Sequence, residues 1–360
     1  MEEKRISLLF GLLLTLTFAT SDGIYDFKNC GLPGLQFISK RNKRSILKDK
    51  ELEKIEDGDS PNSTLLMDNN NDPMQHVVMG GEKASLGEIP WSVRLTVDDR
   101  KMYTCGGTLV TRRHVITAAH CFMTGEQVKC STKDMLTYEY VTRKFKVVVG
   151  GICRSGALEK CRPEEVGTTI RIKRAYYTRF FEEGCLGTAD IAILELATDA
   201  PTGIHHVCLP HLHNVDELDE MTAQLFTAGW GRDPLHGYIA SGTPYLQKIA
   251  LGVKMTEKEC YESTAFPWAD VFCTVEHAKK NVCGGDSGSG VTTSYEGKHY
   301  LIGVVSRGSN CVDLLQGHAP SGQAHCNIAF YTPDIDVMLG MEVADRKASW
   351  EEIKLKLTAG

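Results

Sequence analysis

After its first twenty residues this 360-residue chain has no apolar run long enough to cross a bilayer, which takes about 20 such residues. It also lacks an excess of either charge. The 40 Lys and Arg nearly balance 46 Asp and Glu, and a net charge of −6 offers no electrostatic footprint for nucleic acid or an anionic membrane. Its 13 cysteines contain no repeated Cys-x-x-Cys pair, so a zinc site explains them poorly. Scattered along the chain, they point instead to disulfides formed in an oxidising compartment. Finally, no Lys or Arg occurs from Ile55 to Val77.

The N-terminus agrees with that compartment. Lys4 and Arg5 precede the apolar run Ile6 to Phe18, and Ala19 and Ser21 are small residues suited to cleavage. Residues 1–21 read as a secretory signal peptide and the protein as secreted and extracellular. Asn62-Ser63-Thr64 is the sole N-glycosylation sequon, which makes Asn62 the expected acceptor. Residues 22–77 read as a leader. Lys40 to Arg44 is basic, Glu51 to Asp59 acid-rich and Asp68 to Pro73 polar, so the segment cannot bury enough apolar surface to order itself. Cys30 is its exception and implies a tether to something downstream. Arg41-x-Lys43-Arg44 resembles a proprotein-convertase site and is equally compatible with a solvated basic run.

From Val78 onward short alternating or apolar runs follow one another: 92–97, 107–110, 144–149, 169–173 and 191–196. After a linker near Pro201–Pro210 they resume at 224–228, 245–253, 271–274, 291–295, 300–306 and 328–332. Gly, Pro, Asn or Asp bounds each run, and Glu296-Gly297 sits where a hairpin turn belongs. Many short strands predict an all-β sandwich or barrel, and the central break allows two similar halves. The last segment, from Val337 to Leu357, is rich in helix formers.

Cys283-Gly284-Gly285-Asp286-Ser287-Gly288-Ser289-Gly290 is a tight loop whose glycines let the backbone approach a ligand closely. It is as compatible with a plain turn as with a nucleophile site. Three other motifs decide between them. Thr117-Ala118-Ala119-His120-Cys121 sets a histidine beside a cysteine, and Asp190 stands at the mouth of the buried strand Ile191 to Leu196. Thr227-Ala228-Gly229-Trp230-Gly231 is a small-residue turn around tryptophan. Alone, each is a structural histidine, a strand-start acid and a packing turn.

Together, and in this order, the motifs resemble the trypsin-like serine proteases, the family of chymotrypsin, over about Val78 to Gly340. The resemblance implies two antiparallel six-stranded β-barrels with the active site between them, followed by a C-terminal helix over 341–360. It also implies roles, which follow the well-described triad of that family. Ser287 attacks the peptide carbonyl, His120 shuttles the proton, and Asp190 fixes the imidazole. The N–H groups of Gly285 and Ser287 form the oxyanion hole. The substrate is a protein or peptide, an activating protease and protease inhibitors are the other implied partners, and neither metal nor cofactor is required. Disulfides Cys105–Cys121, Cys260–Cys273 and Cys283–Cys311 are implied, with Cys30–Cys208 as the tether of the cleaved leader. The family's bridge between the tryptophan turn and the strand after the nucleophile is missing at both ends, Leu225 and Thr293. Cys130, Cys153, Cys161, Cys185 and Cys326 remain, an odd number that leaves at least one free or intermolecular.

The sequence also departs from the family. Asn281 stands where trypsin has its aspartate, and a neutral amide cannot pair a buried guanidinium. Ala329 replaces a pocket glycine and narrows the pocket, and Arg307 replaces a tryptophan between Ser306 and Gly308, which pair with substrate backbone. These changes predict an uncharged, small-to-medium P1 residue (the one whose carbonyl is attacked), with an acidic preference through Arg307 as the other option. Ser289 is expected to crowd the main-chain path of the cleft. Val78 would be the new N-terminus whose amine pairs with Asp286, yet Val77 before it is not a tryptic site. Either a protease accepting valine makes the cut, or the chain stays a zymogen cut near Arg44. The histidines at 205, 206, 211 and 213 read as a solvated linker rather than a metal site. The reading is a secreted serine endopeptidase precursor; its rival is a catalytically silent homologue acting as a binding or regulatory protein.

Overall fold

The computed structural model describes residues 25–34 and 79–340, apart from 98–99, 125–130, 155–160, 186–187, 214, 216–217, 219–221, 239–241 and 265–268. The signal peptide, Arg44, Asn62, Val77, Val78, Cys130 and the tail over 341–360 therefore lie outside the described residues.

The first unit is a closed antiparallel barrel of six strands in the order β2-β3-β4-β7-β6-β5. They are β2 (Ser92–Val97), β3 (Arg100–Leu109), β4 (His114–Thr117), β5 (Phe145–Val149), β6 (Thr168–Tyr176) and β7 (Ala192–Leu196). The period-two pattern that predicts these strands also fills the barrel. In β6, Ile170 and Ile172 are buried while Arg171 and Lys173 face water. Leu95, Leu109, Ile116, Leu194 and Leu196 meet them inside, and none is detectably exposed.

The second unit corrects the expected pair of six-stranded barrels. It is a seven-stranded sheet, not a closed barrel, in the order β1-β9-β8-β11-β12-β13-β10. Its strands are β1 (Glu82–Lys83), β8 (Leu225–Gly229), β9 (Gln247–Gly252), β10 (Val271–Val275), β11 (Gly290–Tyr295), β12 (Lys298–Arg307) and β13 (Gly322–Asn327). Closure would require β9 to pair with β10. The outer edge of β9 at Gln247 and Lys248 is instead taken by β1, and Gly252 turns the chain through φ 84° at its end. Among the described residues an isolated bridge, Lys254 to Thr274, spans the gap, with Met255 N–H donating to Cys273 C=O at 2.8 Å.

Glu296 and Gly297 both have positive φ, 47° and 78°, and join β11 to β12 as a tight hairpin. The strand expected at 328–332 is not one. Ile328–Tyr331 is a 3₁₀ turn leading into the helix Thr332–Met338, and the strand is the more polar segment just before it.

Five disulfides are resolved: Cys30–Cys208, Cys105–Cys121, Cys153–Cys161, Cys260–Cys273 and Cys283–Cys311. Cys185 is also disulfide-bonded, and Cys326 is a buried free thiol. The leader residues 25–34 lie against the linker between the units. Tyr25 is buried there, Gly31 N–H donates to His206 C=O at 2.8 Å, and Gly34 N–H to Gly87 C=O at 2.7 Å.

Candidate active site

Register brings the histidine to the aspartate. β4 pairs antiparallel with β7, with Thr117 opposite Ala192, so the residues just after β4 lie beside those just before β7. His120 is the second residue of the 3₁₀ turn Ala119–Phe122 there, and Asp190 is almost wholly buried at 1% exposure. The backbone N–H of His120 donates to Asp190 Oδ1 at 2.9 Å, and the imidazole Nδ1–H to Oδ2 at 2.7 Å. Ser306 Oγ, near the end of β12, donates to the same Oδ2 at 2.5 Å. Burial alone would raise the Asp190 pKa, but the His120 charge and the bonds from His120 and Ser306 outweigh it and lower it to about 2. The carboxylate is therefore ionised, and Nδ1 keeps its proton. That leaves Nε2 of a half-buried ring, 24% exposed, as the basic face.

The loop carrying Ser287 is fixed to both units. Ser287 C=O accepts the N–H of Gly106 in β3 at 2.8 Å, and Gly288 N–H donates to Val305 C=O in β12 at 2.8 Å. Gly288, at φ 82°, lies so close to Thr117 and Ala118 that a Cβ would meet Thr117 Oγ1, Gly106 O and Ala118 N. Thr117 and Ala118 are the third and second residues before His120. Thr117 Oγ1 in turn donates to Gly106 C=O at 2.7 Å, and Cys105–Cys121 staples the same two segments. Ser287 is half-buried beside the imidazole's segment. Gly285 takes φ 102°, open to glycine, and among the described residues neither its N–H nor that of Ser287 donates to another backbone group.

Asp286 is fully buried. Its Oδ1 accepts Gly231 N–H at 2.7 Å and its Oδ2 accepts Cys283 N–H at 2.9 Å. Side chains at Gly229 or Gly231 would strike this carboxylate, so the small-residue turn around Trp230 exists to let it in. Burial raises its pKa to about 7, against the two backbone bonds. Met79 is fully buried too, and its C=O accepts Asn281 N–H at 2.9 Å, so the residue after Val78 is seated beside the segment that leads into the Ser287 loop.

Two expectations about the cleft need correction. Ser289 does not crowd it: the residue is 2% exposed and its hydroxyl points inward, between Gly106 and Gly229. Ala329 is not in the pocket either. The pairing of Arg307 with Ala324 and of Val305 with His325 aligns β13, not the 3₁₀ turn, with Ser306, Arg307 and Gly308. Ala329 lines a different cavity of about 370 Å³ with Pro210, His211 and Leu301. The residue facing Gly308 is Gln323, which sequence reading missed together with Glu276 and Asp270. Asn281 is buried near it, and Gln323 Nε2 donates to Val282 C=O at 3.3 Å. Arg307 is half-buried, its basicity reduced by burial and raised by Asp190 and Asp270.

The linker histidines are engaged separately. His206 Nε2 accepts Asp26 N–H at 2.9 Å, His213 lies 3.2 Å from the Tyr25 hydroxyl, and His211 pairs with Asp336 at 2.7 Å. His205 Nδ1 donates to Leu32 C=O at 3.2 Å.

An imidazole held by a buried carboxylate beside a serine on a strained glycine loop defines a serine hydrolase. Residues 78–318 match the family described as Trypsin. A relative from Caenorhabditis elegans, "Trypsin-like protease try-5", is 35% identical over 263 residues, covering 66% of this chain and 79% of its own. "Coagulation factor IX" of Cavia porcellus is 28% identical over 240 residues, 65% of this chain and 73% of that one. "CLIP domain-containing serine protease B8" of Anopheles gambiae is 28% identical over 280 residues, covering 73% and 66%. The chain belongs to the trypsin family of serine proteases, and it is a serine endopeptidase.

Proposed function

We propose that Ser287 is the nucleophile, His120 its general base and acid, and Asp190 the group that fixes the imidazole. The observation that carries this reading is the 2.7 Å bond from His120 Nδ1 to Asp190, with the Ser287 loop locked onto Gly106 beside the same histidine. The hydroxyl of Ser287 adds to the substrate carbonyl as His120 Nε2 takes its proton. The N–H groups of Gly285 and Ser287 receive the developing oxyanion, each worth about 10²–10³ in rate. His120 then protonates the leaving amine, and water hydrolyses the acyl-enzyme by the reverse steps.

The protein acts as a secreted, extracellular precursor. Residues 1–21 are its signal peptide, 22–77 a leader tethered through Cys30 to Cys208, 78–340 the protease domain and 341–360 a tail. A cut before Val78 activates it, made by a protease that accepts valine. The burial of Met79 and its bond to Asn281 support that site, with the freed amine reaching Asp286. The pocket formed with Asn281, Ser306, Arg307 and Gly308 takes an uncharged P1 residue. The inward turn of the Ser289 hydroxyl removes one reason to favour a silent homologue.

The test is to secrete the full chain, sequence its mature N-terminus and treat it with a fluorophosphonate. Labelling that depends on Ser287, in a protein beginning at Val78, is the expected result. A chain cut only near Arg44 and never labelled overturns the reading.

A further inference from the structure

The P1 pocket lies between the wall before the nucleophile, residues 281–283, and the wall formed by residues 306–308; this inference rests on that reading of the cleft. Gln323 stands between the two. It enters from β13, is 2% exposed, and donates from Nε2 to Val282 C=O at 3.3 Å on one wall. On the other wall, a side chain at Gly308 would begin 2.7 Å from that Nε2 and 3.3 Å from its Cδ. The carboxamide thus crosses the pocket at the level of Gly308. Its Oε1 is buried and has no partner among the described residues. Buried polar atoms left unpaired are rare, and when they line a binding cleft they mark what a ligand is to supply.

The rest of the lining narrows the chemistry. Glu276 Oε1 would also lie 2.7 Å from a Gly308 Cβ. Its carboxylate already accepts Ser309 N–H at 2.6 Å, Ser321 N–H at 2.9 Å and Ser321 Oγ at 3.1 Å. Its charge is compensated by those dipoles, and no cation is needed to hold it. His325, fully buried, meets Thr274 Oγ1 at 2.9 Å, and burial lowers its pKa to about 3, so it supplies no positive charge for an acidic side chain. The crossing carboxamide stops a long side chain before it reaches Asn281.

We propose that Gln323 sets the P1 selectivity of this protease: it caps the pocket at the depth of Gly308 and pairs with a short side chain carrying both a donor and an acceptor, asparagine first, serine and threonine next. A primary amide has two N–H groups and an acceptor oxygen, and Gln323 uses only one N–H on the protein. The free N–H and Oε1 match the oxygen and amino group of an asparagine in one plane. Leucine is of similar length but leaves both unpaired. Aspartate lacks the donor that Gln323 Oε1 needs. Sites built on such hydrogen bonds reject analogues that cannot make them by far more than an apolar pocket does.

The experiment uses the secreted full chain with an enteropeptidase sequence replacing residues 73–77, so that Val78 can be released at will. Competent molecules are counted by fluorophosphonate titration, and kcat/KM is measured on peptides differing only at P1. Asparagine is expected to exceed leucine by at least about 10-fold, and aspartate and arginine by about 100-fold or more. Gln323→Gly should move the preference to leucine and phenylalanine, and Gln323→Leu, which keeps the length, should abolish the asparagine advantage. A chain that labels yet prefers arginine, lysine or phenylalanine overturns the P1 assignment alone. So does an unchanged profile in the titrated variants. A chain that never labels overturns the Ser287 assignment and this one with it.

Discussion

The carboxylate of Asp270 accepts the backbone N–H of Ala189 at 2.7 Å, one residue before Asp190. Ala189 has φ 55°, a left-handed conformation that costs a non-glycine residue about 1 kcal/mol or more. The same Oδ2 accepts the hydroxyl of Tyr331 at 2.6 Å, so the residue just before β10 of the open sheet holds the peptide that leads into Asp190. Asp270 is a positioning residue. Asp270→Ala should lower kcat by about 10–100-fold with KM little changed, because small displacements of a reacting group are costly. Asp270→Asn, whose Oδ1 can still accept the Ala189 N–H, should recover most of it. Equal losses in both variants, or an effect seen only in the melting temperature, would remove Asp270 from the catalytic geometry.

What the sequence carries and what it hides divide along physical lines. The proposed triad of His120, Asp190 and Ser287 stands out in the sequence because acyl transfer needs those residue types, and because Gly285 and Gly288 mark backbone that only glycine adopts easily. Strands such as β2 and β7 are legible because their apolar residues fill a barrel. β13 is not, because its inward residues Gln323 and His325 are polar, the first donating to Val282 C=O in a loop and the second meeting Thr274 Oγ1 of β10. The apolar letters just after it, Ile328 and Tyr331, are buried at a spacing of three, the face of a 3₁₀ turn. The proposed pocket residue on this side is Gln323 and not Ala329, because β13 and not the 3₁₀ turn pairs alongside Ser306, Arg307 and Gly308. Closure of the second sheet is decided by which strand takes the β9 edge, and nothing in the composition of Glu82–Lys83 announces it. Asp270 and Glu276 look like surface acids until their neighbours are known.

Asp190 gives a prediction with a definite sign. Its folded pKa is lowered to about 2 from 3.8, so the group stabilises the fold above the unfolded value. That contribution is lost as pH falls from about 4 towards 2. Asp190→Asn removes both the charge and the acceptor that selects the Nδ1–H tautomer, and should lower kcat by about 10⁴. Ser287→Ala should cost about 10⁶. Steady-state kinetics on titrated enzyme checks both. A loss below about 10-fold for Asp190→Asn would mean that the 2.7 Å bond is not what orients the ring.

Asp286 runs the other way. In the uncleaved chain its pKa is raised to about 7 from 3.8, so the folded state holds the proton more tightly than the unfolded one. The stabilisation this gives is complete below about 4 and is lost as pH rises to about 7, on the order of 4 kcal/mol by linkage. Denaturant midpoints of the precursor should therefore fall between pH 5 and pH 8. Asp286→Asn should flatten that slope, whatever its own offset from facing Cys283 N–H with an amide. Release of Val78 should also flatten it, because an ammonium paired with the carboxylate keeps it ionised. A cleaved and an uncleaved chain with the same pH slope would show that the new terminus never reaches Asp286.

Ser289 and Gly106 should prove to be one unit. A Cβ on Gly106 would strike Ser289 Oγ and lie 3.2 Å from both its Cα and Cβ. Gly106 cannot retreat, because its N–H holds Ser287 C=O at 2.8 Å and its C=O holds Thr117 Oγ1 at 2.7 Å. Gly106→Ala should therefore destabilise by about 1–3 kcal/mol and also reduce kcat, since relief of the clash moves the loop that carries Ser287. In the Ser289→Gly background the hydroxyl and its carbon are gone and only the 3.2 Å contact with Cα remains. There the same alanine should cost less by about 1–2 kcal/mol, a coupling read from a double-mutant cycle in denaturant. Additive effects would mean that Ser289 can turn its hydroxyl out of the interior, and the crowded cleft expected from sequence would then return as an explanation for weak activity.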